Sequence, residues 1–238
     1  MTQTVERIGT GTTVRAQDLH RTHGRGSAAV RALRGVSVEL APGTLTVLTG
    51  PSDSRTALLH CLAGLDRPTR GSVHWGGTEV TRLSDRGLVE LRRARTGFVA
   101  PAFNLVPTLT VAENVARAGG RPGRVREVLA RVGLAGYEGQ RPGRLSGERQ
   151  QRVAVACALV ARPDALFADE PARALGPAAG RALAALLRTA ADAEGLTCVL
   201  ATGDPAAAAY ADRVLVLAGG QVVEDRHRSA AVCTGRAA

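Results

Sequence analysis

The sequence predicts an α/β fold built on a mixed, mainly parallel β-sheet, with a small helical subdomain attached to it. Apolar runs typical of buried strands alternate with helical segments over most of the 238 residues. The apolar run at 45–48 leads into a short polar loop and then into a helical segment at 57–64. Between about residues 101 and 157 this alternation gives way to helical patterns, which indicates the subdomain.

The first part of the chain is predicted to be rich in strands separated by turns. Residues 1–13 carry no periodic pattern and are expected to form a disordered lead-in. Val36, Val38 and Leu40 alternate with other residues, as in a half-buried strand. Gly64 and Pro68 are expected to end the first helix. Strands are predicted at 14–19, 30–40, 45–48, 71–77 and 96–99, helices at 57–64 and 84–95, and a polar loop at 20–27.

The rest of the chain is predicted to hold the subdomain and then a return of strand–helix alternation. Gly219 and Gly220 are expected to turn the last two strands into a pair. Helices are predicted within 104–118 and at 124–132, 147–159 and 178–193, strands at 165–168, 196–201, 214–217 and 221–223, and an irregular stretch at 133–144. These elements predict one folded domain over 14–228, followed by a tail at 229–238.

Composition and charge narrow the classes of function. The formal net charge is +10, and all 31 basic residues are arginine, so no lysine can serve a phosphate site. The arginines are spread along the chain and only 3% of residues are aromatic, which argues against a nucleic-acid-binding protein. No apolar run reaches the roughly 18 residues that cross a bilayer, and no secretory signal is expected at the start. The four scattered cysteines predict buried thiols in a reducing compartment.

The loop after the strand at 45–48 is the first candidate site. Backbone N–H groups and the helix dipole favour an anion where a strand, a tight loop and a helix N-terminus meet. Compared with the pattern G-x-x-x-x-G-K-[ST], the second glycine is absent, Arg55 replaces the lysine and the loop is one residue short. The stretch is either a decayed phosphate loop or a strand–helix turn that never bound phosphate. Its candidate residues are Gly50, Pro51, Ser52, Asp53, Ser54, Arg55, Thr56 and Ala57.

Further motifs follow in a fixed order along the chain. Leu145-Ser-Gly147 comes just before Gln150-Gln-Arg-Val-Ala154, and Leu166-Phe-Ala-Asp-Glu-Pro171 follows at the end of a predicted strand. Together with His60-Cys-Leu-Ala-Gly-Leu-Asp66, they resemble the nucleotide-binding domain of ABC transporters, most of all its lipoprotein-release and macrolide-export branch. The resemblance covers about residues 14–225 and implies a P-loop NTPase core, the ABC ATPase fold.

The resemblance implies roles for several residues. In the family, two domains sandwich two ATP molecules, each between the phosphate loop of one domain and the signature segment of the other. By this likeness Thr56 and Asp169 would hold Mg²⁺, and Glu170 would polarise the attacking water. The signature segment and the adenine platform would fall on Ser146, Gly147, Glu148 and His23. A structural interpretation of Asp169 and Glu170, as caps or loop ligands at the strand end, stays open beside the catalytic one.

Most of these positions depart from the family pattern. Asp53 places a carboxylate where a glycine admits phosphate, and at 4 Å with an effective dielectric of about 20 the repulsion is roughly 4 kcal/mol. Asp53 is alternatively expected to cap the helix itself. Glu148 replaces the second glycine of L-S-G-G and opposes the nucleotide in the same way. Pro101 replaces a glutamine and Gly203 a histidine, so Glu170 would lack its catalytic partners.

The resemblance therefore implies an ATP-binding subunit whose hydrolysis of ATP is weak or lost. Such a subunit would dock on a membrane permease through the helical subdomain and the groove near 101–107. It would pair with a second nucleotide-binding domain, as a homodimer or a heterodimer, at the inner face of the plasma membrane. ATP and Mg²⁺ would be bound weakly or not at all. The alternative is a non-catalytic regulator or scaffold of the same fold that binds no nucleotide.

Overall fold

A computed structural model describes residues 11–24 and 29–228. The strands are β1 (Val14–His23), β2 (Val30–Leu40), β3 (Leu45–Thr49), β4 (Arg70–Trp75), β5 (Thr78–Glu79), β6 (Thr96–Val99), β7 (Ala165–Asp169), β8 (Thr197–Ala201), β9 (Arg213–Ala218) and β10 (Gln221–His227). The α-helices are α1 (Ser52–Leu62), α2 (Asp85–Arg95), α3 (Val111–Arg117), α4 (Pro122–Arg131), α5 (Gly147–Leu159) and α6 (Pro177–Glu194). Short 3₁₀ turns occupy Val80–Arg82, Pro142–Arg144 and Pro205–Tyr210.

The central sheet has six strands in the order β10-β9-β3-β8-β7-β6. Its neighbours pair in parallel except for β9 and β10, which are antiparallel. The sheet is therefore mixed and mainly parallel, as predicted. The strands β2-β1-β4-β5 form a second, four-stranded antiparallel sheet, which the sequence patterns did not distinguish from the first.

Two hydrophobic clusters lie on the two faces of the central sheet. The alternation along β7 shows the division, because Leu166 and Ala168 join one cluster while Ala165 and Phe167 join the other. The first cluster contains the apolar faces of α3 to α6, and the second contains α1 and the antiparallel sheet. The stretch 101–157 contains the helices α3 to α5, whose apolar side chains belong to the first cluster, and its division into a separate subdomain stays a prediction.

One close contact fixes α5 against the edge strand β6. A Cβ atom built on Gly97 of β6 would lie 2.4 Å from the Ala158 carbonyl oxygen of α5. Only glycine allows the strand and the helix to approach this closely. The contact holds the helical layer beside the strand that leads to Pro101.

The boundaries of several elements differ from those predicted. β1 continues to His23, through the first part of the predicted loop 20–27, because it pairs with β2 up to Val30. Gly11 and Thr12, within the predicted lead-in 1–13, are tied to the domain: the Gly11 N–H donates to the Gly195 carbonyl at 3.1 Å, and the Thr12 carbonyl accepts from Thr197 at 2.6 Å. Residues 1–10, 25–28 and the predicted tail 229–238 lie outside the described residues. No helix in the described ranges is long and apolar enough to span a bilayer.

Candidate nucleotide-binding site

The carboxyl ends of three neighbouring strands bring the candidate residues to one edge of the central sheet. β3 leads to Gly50, β7 ends at Asp169, and the neighbouring strand β8 leads to Gly203. In parallel α/β sheets, ligands bind at this edge, because the loops that leave the strands converge there. Side chains that are more than a hundred residues apart in sequence therefore meet at one site.

The phosphate loop is shorter in the structure than the family pattern requires. The helix α1 begins at Ser52, directly after Pro51, whereas the sequence predicted a start at 57. The Arg55 N–H already donates to the Pro51 carbonyl at 3.1 Å as part of the helix. Residues 52–56, which were predicted to belong to the loop, form the first turns of a helix, so fewer backbone N–H groups can surround a phosphate.

Asp53 does not cap this helix, contrary to one of the two expectations for it. The N-cap position is Pro51, and no side chain makes a capping hydrogen bond there. Asp53 is exposed in the first turn, where its charge still suits the helix dipole. Its carboxylate stays free to repel an approaching phosphate.

Arg55 points at the protein's own carboxylate and carbonyl groups. Its side chain is buried, with 6% exposure, and its guanidinium donates to the Gly50 carbonyl and to Glu170 Oε1. Glu170 Oε1 also accepts the Gly203 N–H at 3.1 Å. The Glu170 backbone has a φ of 42°, in the left-handed region that is strained for a side-chain-bearing residue. The structure thus gives Glu170 an arginine partner that the sequence did not predict.

The two residues predicted to hold Mg²⁺ lie together. Thr56 Oγ1 donates to Asp169 Oδ1 at 3.1 Å, and Asp169 is buried. His60, one helical turn after Thr56, places its Nε2 3.2 Å from Asp169 Oδ2. Sequence reasoning missed this histidine, although its i,i+4 spacing from Thr56 was a usable signal. Within the described ranges, no cluster of three or more His, Cys, Asp or Glu side chains could hold a metal ion.

His23, the predicted adenine platform, lies beside the start of α1. It is the last residue of β1 and lines a pocket of about 420 Å³. Ser52, Asp53, Thr56 and Ala57 line the same pocket. The structure therefore brings His23 together with several of the predicted phosphate-loop residues.

The signature segment forms the start of α5, and none of its three residues lines the pocket beside His23. Ser146 caps the helix by accepting the Arg149 N–H at 3.4 Å. The Glu148 carboxylate accepts a hydrogen bond from Arg152 at 2.8 Å, one turn along the same helix. A Cβ on Gly147 would lie 2.6 Å from a Leu175 methyl group. Ser146, Gly147 and Glu148 thus lie apart from the phosphate-loop pocket of their own chain.

The residues present fit the Mg²⁺ ion of a Mg²⁺–ATP complex but not its γ-phosphate. Thr56 and Asp169 supply the hydroxyl and carboxylate oxygens that Mg²⁺ prefers. The γ-phosphate half does not fit, because the one cation of the loop, Arg55, is already bonded to Glu170 and Gly50. The loop therefore has no free cation to contact a γ-phosphate. Arg55 Nε is buried with no hydrogen-bond partner among the described residues, so the pairing leaves one donor unsatisfied.

The fold and this sheet edge define a P-loop type of nucleotide-binding domain. The sequence model of one family, the ABC transporters, matches residues 33–173, more than half of the chain. The chain belongs to the ABC transporter family, as an ATP-binding domain. A dimeric structure of a bacterial ABC transporter cassette has a TM-score of 0.81 and 30% identity, and covers 90% of this chain and 98% of that one. A structure of that cassette bound to ADP and Pi gives a TM-score of 0.80, with 31% identity over the same shares.

Curated relatives come from export systems and from mycobacteria. The macrolide export ATP-binding/permease protein of Rhodopseudomonas palustris is 38% identical over 225 residues, which cover 91% of this chain and 34% of that protein. An uncharacterized ABC transporter ATP-binding protein of Mycobacterium tuberculosis is 40% identical over 215 residues, covering 86% of this chain and 64% of that protein. The chain therefore spans about a third of the export proteins and less than two thirds of the mycobacterial one.

Proposed function

We propose that this chain is the ATP-binding subunit of an ABC export system, that it docks on a membrane permease, and that its ATP hydrolysis is weak or lost. The observation that carries the catalytic part is the contact of Arg55 and the Gly203 N–H with the Glu170 carboxylate. Family membership and the likeness to export proteins support the transport part. The likeness to a dimeric cassette supports pairing with a second nucleotide-binding domain.

The ion pair withdraws two groups from catalysis at once. Glu170 cannot act on water while its carboxylate is bonded to Arg55, and Arg55 cannot reach a phosphate while it is bonded to Glu170. Both side chains are largely buried, at 7% and 14% exposure. Breaking a buried pair typically costs about 3–5 kcal/mol, which corresponds to a factor of roughly 10²–10³ or more in an equilibrium constant.

Nucleotide affinity is expected to be low for separate reasons. The N-terminal N–H groups of α1 still favour an anion, and Thr56 and Asp169 still form a metal pair. Asp53 opposes nucleotide binding, because its exposed carboxylate lies at the same helix end and repels phosphate. In a heterodimer with an intact partner, one composite site would take this loop and the other would take Glu148, so both would be impaired.

Calorimetry of Mg²⁺–ATP binding, with an Asp169→Asn variant as control, tests the proposal. Micromolar affinity that the variant loses would support a nucleotide-gated subunit. ATPase activity of the purified chain near background supports weak or lost hydrolysis. Turnover within the usual enzyme range of about 1–10³ s⁻¹, abolished by Glu170→Gln, would contradict it.

A second candidate function is a non-catalytic regulator or scaffold that binds no nucleotide. The exposed Asp53 and the inward-facing Arg55 favour it, because together they repel a phosphate and remove its cation. No heat of binding at millimolar ATP, together with unchanged association with a permease, would support this candidate over the first.

The permease would contact the groove beside the helical subdomain, and the subunit would then lie at the inner face of the plasma membrane. The groove has a volume of about 600 Å³ and lies between β6, the segment after it and the helices α3 and α5. Phe103, Asn104 and Leu105 line it, within the stretch 101–107 that the resemblance assigned to docking. Filling it with Ala118→Trp should release the chain from a co-purified permease.

A further inference from the structure

The helix α5 carries a glutamine on its buried, otherwise apolar face. Gln151 is 2% exposed, and both polar atoms of its side chain, Oε1 and Nε2, have no hydrogen-bond partner among the described residues. Asn114, a buried amide of similar exposure, instead makes four hydrogen bonds to the backbone of residues 106–110. A buried amide without partners is costly, because it has lost its bonds to water and gained none in return. Gln151 therefore needs a partner that its described neighbours do not supply.

A small cavity lies next to this side chain, between α5 and α6. Its volume is about 10 Å³, which is close to the space that one water molecule needs and too little for an organic ligand. Gln151 lines the cavity on the side of α5. The opposite wall is apolar, and its side chains come from α6 and the segment just before it: Leu175, Ala179, Ala182, Leu183 and Leu186.

The α5 side of the cavity supplies polar groups. Glu148 and Arg152 line it together with Gln151, and Glu148 precedes Gln151 by three residues, so the two lie on the same face of the helix. Glu148 Oε1 accepts a hydrogen bond from Arg152 at 2.8 Å, and Glu148 Oε2 has no hydrogen bond to a described residue. A buried water typically makes about three hydrogen bonds. The Gln151 amide, with its donors and its acceptor, and the free Glu148 oxygen can provide them.

From these observations we infer that the cavity binds a single water molecule, which bonds to the Gln151 amide and links it to the Glu148 carboxylate. The water satisfies the buried amide, and it gives Glu148 a second partner besides Arg152. It thereby connects the start of α5, where the signature segment lies, to the part of the same helix that packs on α6. The site does not depend on the proposed binding of nucleotide or permease.

A high-resolution crystal structure of the full-length chain tests the inference directly. One ordered water should lie about 2.7–3.2 Å from Gln151 Oε1 or Nε2 and within hydrogen-bond distance of the Glu148 carboxylate. A Gln151 amide that bonds directly to protein groups, or a cavity without an ordered water, would overturn the inference.

Filling the cavity tests the same site in solution. The added methyl groups of Ala182→Val should displace the water and leave the Gln151 amide without a partner, which should lower the Tm by about 2–10 °C. The matched control is Ala185→Val, because Ala185 is a half-buried alanine of the same helix that does not line the cavity. This control should lower the Tm by no more than about 2 °C, the cost of valine in a helix.

A double-mutant cycle distinguishes loss of the water from crowding of the two helices. In a Gln151→Leu background no amide needs a partner, so Ala182→Val should lower the Tm by no more than the control does. This recovery cannot come from a misfolded variant. An equal loss of Tm in both backgrounds would mean that valine only crowds the helices, and a higher Tm for Ala182→Val in the parent chain would mean that the cavity is dry. Either result would overturn the bound water.

Discussion

The Arg55 guanidinium and the Glu170 carboxylate form a buried ion pair that joins the start of α1 to the end of β7. The two residues lie 115 positions apart in the sequence. The same carboxylate oxygen accepts the Gly203 N–H, so three chain segments meet at one point. Arg55 and Glu170, which the resemblance assigned to the nucleotide site, therefore connect distant segments at the sheet edge.

A double-mutant cycle on this pair measures its structural role. Arg55→Met should lower the free energy of unfolding by about 3–5 kcal/mol, because it leaves the Glu170 carboxylate buried without its cation. Arg55→Met combined with Glu170→Gln should recover part of this loss, since no uncompensated charge remains. Urea denaturation gives the values. The exposed Arg126→Met is the control and should change stability by less than about 0.5 kcal/mol. Additive single-mutant effects would mean that the two side chains are not coupled.

The contact between β6 and α5 gives a second test. Gly97→Ala should destabilise the domain by several kcal/mol, because the new methyl group would lie 2.4 Å from the Ala158 carbonyl oxygen of the backbone. Gly139→Ala is a matched control, since nothing lies within 4 Å of a Cβ at that position. Thermal unfolding of both variants checks the difference. Equal melting temperatures would show that α5 can move away from the strand.

An ion-pair cluster connects the subdomain helix α4 to the end of α6. Arg124 Nη2 donates to both oxygens of Glu194, at 2.9 and 3.0 Å, and Arg131 donates to the same carboxylate. Arg124 and Glu194 are largely buried, at 10% and 11% exposure. Glu194→Gln should therefore cost about 3 kcal/mol of stability, because it removes the buried anion of Arg124 and leaves only the more exposed Glu127 to compensate its charge.

Glu127 provides the matched comparison for this cluster. It pairs with the same two arginines but is 40% exposed. Glu127→Gln should cost less than about 1 kcal/mol, as is usual for an exposed ion pair. Urea midpoints for the two variants would decide the question. If Glu127→Gln lowered the free energy of unfolding as much as Glu194→Gln, burial would not determine how much each carboxylate stabilises the cluster.

Strongly patterned elements could be predicted from the sequence, and contacts between distant segments could not. The helix at 147–159 has the predicted bounds, since a serine cap and an apolar face define it locally. The sequence predicts a loop for the polar end of β1, because its strand character comes from pairing with β2 and not from its own composition. The sequence predicts the start of α1 five residues too late, because residues 52–56 carry no apolar periodicity.

At the candidate site, too, the sequence predicted which residues belong to the site but not all of the contacts between them. Motif order predicted which residues belong to the nucleotide-binding family, and the structure places Thr56 beside Asp169. The partners of Arg55 and Asp169 within the site depend on side-chain directions at the sheet edge, which no spacing in the sequence encodes. The roles proposed for His23, Glu148 and Glu170 in a nucleotide complex stay predictions.

The cysteines predict a loss of stability at alkaline pH. Burial raises the pKa of the Cys61 and Cys157 thiols from 9.0 to about 12, and it raises the pKa of Cys198 as well. A raised folded-state pKa means that the stabilising contribution is complete below about pH 9 and falls as the pH rises from 9 toward 12, because only the unfolded chain then releases these protons. The expected slope is about 1.4 kcal/mol per pH unit for each buried thiol.

The loss of stability at alkaline pH is not obscured by lysine side chains, because this chain contains no lysine that would titrate in the same range. Cys233 lies outside the described residues, so a Cys233→Ser background removes its contribution. Guanidinium denaturation between pH 8 and pH 11 should show that the free energy of unfolding falls as the pH rises. The double variant Cys61→Ala, Cys157→Ala should show a smaller fall, because two of the thiols no longer contribute. Cys61, which is fully buried, should also react with iodoacetamide at pH 8 more slowly in the folded than in the unfolded chain, because burial raises the pKa of its thiol. A pH-independent stability up to pH 11 would show that these thiols ionise as readily in the folded domain as in the unfolded chain.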